Sequence, residues 1–169
     1  MTLELVHVGA AEIPVLENLI QLYIHDFSEF FTGTPRCELS DDGRYALDKP
    51  VGAWLARPGN VALLLRSNDR LAGFAQISGT EGADATRIVD EFFVARKYRR
   101  TGVGAAAAAK IFSLWPGHWQ ADVRRRNTGA AAFWARAIAA HPRVSALKVE
   151  DCCDDEWDGP VYHFVIGAA

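Results

Sequence analysis

The sequence predicts an α/β (α+β) fold: one domain built on a mixed, mostly antiparallel central sheet flanked by helices. Three observations predict it. Segments of period two and segments of period 3.6 succeed one another in the order β-α-α-β-β-β-α-β-α-β-β. Three strand-like runs in succession precede the first β-α-β crossover, so neighbours of both orientations are expected. The 169 residues are half hydrophobic, enough for one domain with a sizeable core, taken as residues 1–169.

Each element follows from its own pattern. "LELVHV" (Leu3 to Val8) alternates and reads as a first strand. Val15, Leu16, Leu19, Ile20, Tyr23, Ile24 and Phe27 recur at helical spacing, and Pro14 suits a first turn. "TGTPRCELSDDG" is a loop, and "YALDKPVGAWLARPG" holds a short helix ending near Pro58-Gly59. "VALLLRS" and "RLAGFAQIS" form a hairpin about "NDR", and "RIVDEFFVA" is the next strand. A helix runs from about Val103 to Trp115 and stops at Pro116-Gly117. "HWQADVRR" is a strand. "NTGAAAFWARAIAAH" is a helix capped by Asn127 and ended by Pro142. "VSALKVEDC" and "PVYHFVIG" are the last strands, on either side of the acidic "DDEWDG".

Composition excludes several classes. No signal peptide is indicated at "MTLELVHVGAAEIP", and no apolar run is long enough to span a bilayer, so no membrane partner is expected. Three cysteines, two of them adjacent, and no zinc-ligand spacing predict a reduced, cytoplasmic protein without a metal. A net charge of −3 argues against nucleic acid as a partner. The charge is unevenly spread: residues 1–86 carry 6 basic and 12 acidic side chains, 87–126 carry 9 and 3, and 127–169 carry 3 and 6. A basic middle between acidic flanks suggests a polyanionic ligand and a cationic one; the plain alternative is chance clustering on a solvated surface.

The basic middle contains "YRRTGVGAAAAAK" (Tyr98 to Lys110), a turn entering a helix. Free N–H groups at a helix N-terminus and the helix dipole bind anions, and glycine lets a phosphate approach the backbone. Arg99 and Arg100 would add donors. A Walker A loop is excluded, since Gly-Lys-[Ser/Thr] is absent. Gly102-x-Gly104-x-x-Ala107, with Asp122 about 20 residues on, fits a loose NADP-binding Rossmann fingerprint. Against it, "ARKYRRT" separates Val94 from Gly102, and little chain follows Asp122. Arg99, Gly102 and Gly104 also match [Arg/Gln]-x-x-Gly-x-[Gly/Ala].

"RIVDEFFVARKYRRTGVGAAAAAKIF" resembles the central motif of the GNAT superfamily of N-acetyltransferases, and "NTGAAAFW" resembles that family's Asn-x-x-Ala-x-x-Phe-Tyr block at Asn127, Ala130, Phe133 and Trp134. The blocks lie in order, one helix and one strand apart. The resemblance implies acetyl-CoA as cosubstrate. It implies that pyrophosphate lies on Arg99, Arg100, Thr101, Gly102, Val103 and Gly104. The pantetheine arm would lie along Phe92, Phe93 and Val94, with Asn127, Ala130, Phe133 and Trp134 beside the arm and thiol. Arg124 to Arg126 are placed near the phosphates, though a run on one strand does not point one way.

"DEFFVARKYR" further resembles the polyamine acetyltransferase branch, whose acidic pair faces the amine. A carboxylate is suited to deprotonating an ammonium. Glu91 is expected as base or substrate anchor, with Asp90 close behind; alternation separates them unless a bulge intervenes. Trp134 stands where the family carries the tyrosine that protonates the thiolate, and an indole is no acid. Tyr162, Tyr98 or water remain as donors, or unaided departure. The loops "YIHDFSEFFTGTPRCELSDDGRY" and "EDCCDDEWDG" are expected to frame a small-molecule amine, and their acidic residues and aromatics suit a cationic one. The expected activity is direct acetyl transfer to a primary amine by an N-acetyltransferase, in a possible homodimer. Two alternatives stand beside it: an acyl-CoA-binding sensor without turnover, and the NADP-binding domain.

Overall fold

The computed structural model describes residues 1–47, 49–79, 85–154 and 157–168. The alternating segments form β1 (Leu3–His7), β2 (Val61–Ser67), β3 (Arg70–Gly79), β4 (Thr86–Val94), β5 (Gly117–Asp122), β6 (Val144–Cys153) and β7 (Asp158–Ile166). The helical segments form α1 (Ile13–Ser28), α2 (Val51–Leu55), α3 (Val103–Leu114) and α4 (Thr128–Ala139). Short 3-10 turns at Glu29–Phe31 and Arg96–Tyr98 add to these; neither shows in the hydrophobic periodicity.

The strands make one sheet in the order β1-β2-β3-β4-β5-β7-β6. Every neighbouring pair is antiparallel except β4 and β5. This mixed sheet overturns the Rossmann alternative, which needs a largely parallel one. Two cores cover its faces. Val103, Ala107, Ala108, Ile111 and Phe112 of α3 and Trp134, Ala137 and Ile138 of α4 pack on one face, with Trp119 and Phe164. Leu16, Leu19 and Ile20 of α1 and Val51 of α2 pack on the other, with Leu64, Phe74 and Phe93. The small alanines bring α3 close to the sheet; Ala107 and Ala108 are buried.

One expectation is corrected in register. Arg124 to Arg126 do not lie on a strand, because β5 ends at Asp122 and the chain turns into α4. Among the described residues no helix is long and apolar enough to cross a membrane.

Candidate active site

The site begins where the sheet splits. β4 and β5 pair from Thr86 with His118 to Val89 with Ala121, and no further. β4 continues to Val94 against β3, and β5 continues to Asp122 against β7. One edge of Asp90–Val94 therefore faces the gap. Its polar backbone groups there are not used by the β5 ladder, the condition for pairing with an extended ligand.

A bulge settles which way the carboxylates point. Gln76 pairs with Glu91 and Ile77 with Val89, leaving Asp90 as the extra residue. Val89 and Phe92 thus both face α3 and α4, and the two residues between them share the opposite face. There Ser78 Oγ donates to Asp90 Oδ1 at 2.6 Å. The Tyr23 hydroxyl donates to Glu91. Desolvation raises the Asp90 pKa, more than hydrogen bonds from Ser78 and Trp54 lower it, and the nearby Asp122 raises it further. Burial and the Glu91 charge raise Tyr23 well above its ordinary value. Asp122, the neighbour of Asp90 across the gap, is missing from the predicted site, because only the β4–β5 register brings them together. So is Tyr23's bond to Glu91.

The turn after β4 is shaped by glycine. Gly102 has φ +89° and caps α3, a conformation that a side chain disfavours. The first helical bond is Ala106 N–H to Gly102 O at 3.0 Å, and no side chain caps the helix. The preceding N–H groups are thereby left for a ligand. Arg100 is exposed beside them, while the Thr101 hydroxyl donates to Tyr98 O at 2.7 Å. The Val103 side chain is buried, so only its backbone reaches the turn. Gly104 lets the Phe133 ring approach: a Cβ there would meet the ring at 3.2 Å. Phe133 in turn stacks on Phe92, with centroids 5.6 Å apart.

Arg99 is committed elsewhere. Its Nε donates to Val94 O at 2.7 Å and its guanidinium pairs with Asp26 of α1, which Arg96 also holds at 2.8 Å. Burial alone would raise Asp26, but the hydrogen bonds of Arg96 and Arg99 outweigh it and lower its pKa. Arg99 thus straps the turn to α1.

The second block is more structural than its motif suggests. Asn127 Oδ1 accepts the Ala130 N–H at 3.0 Å, the cap read from the sequence. Trp134 is buried against Phe92, Phe112 and Phe133 rather than lining the gap. Phe93 is buried on the α1 side. The Tyr162 side chain is buried in the core; its hydroxyl donates to Ala131 O at 3.2 Å, and burial raises its pKa. The structure therefore gathers Asp90, Glu91, Phe92, Val94, the turn and Phe133, and sets Trp134, Phe93 and Tyr162 behind them.

The acidic loop is partly neutralised. Arg125 pairs with Asp151 at 2.8 Å and with Asp158 at 2.7 Å. Asp155 and Glu156, also expected at the acceptor rim, lie outside the described residues. Cys152 is half-buried, and desolvation with its acidic neighbours raises its pKa, which disfavours a nucleophilic thiolate. Among the described residues no His, Cys, Asp and Glu cluster could hold a metal ion.

Comparison with solved structures finds this architecture repeatedly. An acetyltransferase from Thermus thermophilus is 19% identical, with a TM-score of 0.65 over 96% of this chain and 96% of that one. Naa50 from Arabidopsis thaliana, solved with a bisubstrate CoA analogue, is 13% identical, with a TM-score of 0.62 over 99% of each chain. A spermidine N-acetyltransferase SpeG chimera including Vibrio cholerae sequence is 11% identical, with a TM-score of 0.58 over 98% and 96%. At these identities the likeness is one of fold. Among curated proteins none matches the sequence. The profile of the acetyltransferase (GNAT) family matches residues 17–138, which include β4 and β5 on either side of the split, the glycine turn and both motif blocks. The chain belongs to that acetyltransferase family.

Proposed function

We propose that the protein transfers an acetyl group from acetyl-CoA directly to the primary amine of a small molecule. The observation that carries this is the split at Val89, which opens the Asp90–Val94 edge between a glycine anion turn and a pair of carboxylates. The residues fit such a ligand. The uncapped N–H groups of Gly102 to Ala105 suit a pyrophosphate, with Arg100 beside them. The free edge of β4 suits an amide-bearing arm, flanked by Phe92 and Phe133.

The bound thioester supplies an activated acetyl group. Asp90, exposed and raised in pKa, takes the proton from the incoming ammonium. Glu91, fixed by Tyr23, anchors that ammonium. The free amine attacks the carbonyl: the C–N bond forms, the C–S bond breaks, and the second proton on nitrogen passes to solvent. Tyr162 already donates to a backbone carbonyl and Trp134 has no acidic proton, which leaves Tyr98 or solvent to protonate the thiolate. A thiol pKa of about 8.5 makes that departure tolerable near neutral pH.

Calorimetry with CoA, followed by a CoA-release assay with primary amines, tests the reading. Micromolar to millimolar CoA binding and amine-dependent release are expected. Absence of CoA binding at millimolar concentration would refute it, and binding without release to any amine would instead support the sensor.

A further inference from the structure

Beside the split sheet lies a second feature that the acetyl-transfer chemistry leaves unused. A cavity of about 320 Å³ sits between the chain after α1 and the β5–α4 turn. Phe30, Phe31 and Pro35 form its apolar part, Arg36, Arg124, Arg125 and Arg126 line it, and Asp158 is the one acid in its lining among the described residues. Asp158 is already paired with Arg125, whose second partner is Asp151. Among the described residues no carboxylate pairs with the other three arginines. Arg124 lies over the Trp157 ring at 3.9 Å, Arg36 over Phe31 at 5.4 Å, and Arg126 donates to Phe30 O at 3.0 Å. These contacts hold the guanidiniums in place without neutralising them. The buried Trp157 indole N–H, beneath Arg124, has no hydrogen-bond partner among the described residues. The wall is rich in donors and positive charge.

The cavity connects to the carboxylates by two routes. Phe30 and Phe31 each pack on Phe27, with centroids 5.6 and 5.4 Å away. Phe27 stacks on Tyr23 at 5.4 Å, and Tyr23 bonds Glu91. On the other side, Asp122 lies near Asp90, and Arg124 follows Asp122 by two residues. Two residues of extended chain span about 7 Å. The cationic wall is thus linked to the carboxylates through a run of packed rings and through the end of β5, and is offset from them.

We propose that this cavity takes the carboxylate of the acetyl acceptor, so that the acceptor is an extended zwitterion. Its amine sits at Asp90 and Glu91, and its carboxylate, about 7 Å or more away, sits among Arg36, Arg124 and Arg126. A polyamine places a second cation against three arginines that pair with no carboxylate among the described residues, and is disfavoured. An ω-amino acid or a short peptide with a free C-terminus satisfies both ends. This inference rests on the acetyl-transfer reading above. The same arginines would also suit a phosphate of CoA, so the test separates the two sources of negative charge.

The experiment is a CoA-release assay on the full chain, with CoA affinity measured separately by calorimetry. The acceptors are 6-aminohexanoate with 6-aminohexanamide, and glycyl-leucine with its C-terminal amide; spermidine and L-alanine serve as the polycation and the short zwitterion. A charged hydrogen bond contributes a tenfold to hundredfold preference, so kcat/KM for each long acid is expected to exceed that of its amide by about that factor. Spermidine and L-alanine are expected to be poor acceptors. Arg126→Met and, on the facing wall, Arg36→Met should each bring the acid-to-amide ratio down toward one; the second variant covers misfolding of the first. Equal rates for acids and amides with CoA bound overturn the inference alone. So does a variant that keeps the ratio while raising the KM for acetyl-CoA tenfold, which assigns the arginines to the cofactor. Absence of CoA binding overturns the acetyl-transfer reading and this one with it.

Discussion

Asp90→Asn separates catalysis from stability in a single substitution. Asparagine keeps an oxygen that can accept the Ser78 hydroxyl, so the 2.6 Å contact survives while the negative charge goes. Loss of a general base costs about 10²–10⁴-fold in kcat/KM, which is about 3–5 kcal/mol of barrier. Stability should move the other way. The folded-state pKa of Asp90 is raised, chiefly by desolvation. Between 3.8 and that value the folded protein binds more protons than the unfolded chain, so stability falls as pH rises through the window. At neutral pH the ionised carboxylate is a net cost, and removing it should leave Tm equal or higher. The difference should vanish below pH 3.8. The acid limb of the kcat/KM profile should go with it. Glu91→Gln keeps an acceptor for Tyr23 and should raise the KM for the amine more than it lowers kcat. Initial rates and thermal unfolding across pH provide both readouts. If Asp90→Asn keeps more than about a tenth of kcat/KM, or loses activity together with Tm, the assignment of the base fails.

Asp26→Asn should release the strap between α1 and the glycine turn. Its arginine partners are 68% and 42% exposed, so solvent screening limits the loss to about 1 kcal/mol by thermal unfolding. The Asp26 pKa is lowered, so this stability is present above 3.8 and lost as pH falls through the folded-state value; the two proteins should converge in stability in strong acid. Gly104→Val puts a branched side chain where even a Cβ meets Phe133 at 3.2 Å. It should cost about 1–3 kcal/mol and weaken CoA binding at least about tenfold by calorimetry. Unchanged affinity would remove the turn and Phe133 from the CoA site.

The elements were legible because their apolar positions repeat. Leu16, Leu19 and Ile20 are buried as their spacing requires, while Val15, in the same periodic set, stays 37% exposed at its edge. The glycine turn was legible because Gly102 takes a left-handed φ and Gly104 allows the close approach of Phe133. The bulge at Asp90 was not. "RIVDEFFVA" alternates equally well with or without it, and the extra residue appears only when Gln76 and Ile77 of β3 take their partners. Thus the sequence could name two carboxylates but not put them on one face.

Charge shows the same limit more sharply. Counting by segment separates a basic middle from acidic flanks, and the acidic loop then reads as a rim for a cation. Folding pairs across those segments. Arg125 reaches Asp151 and Asp158, 26 and 33 residues away, and Arg99 reaches Asp26, 73 residues away. Each pairing removes one member of a local cluster from the field that a ligand meets. Under the acceptor proposal above, what remains is Arg36, Arg124 and Arg126, which pair with no carboxylate among the described residues, offset from the carboxylates of Asp90 and Glu91. On that proposal the site is bipolar, although neither loop that builds it looks so by composition. A substrate chosen to match the loops would be a polycation; one chosen to match the folded surface carries one charge of each sign.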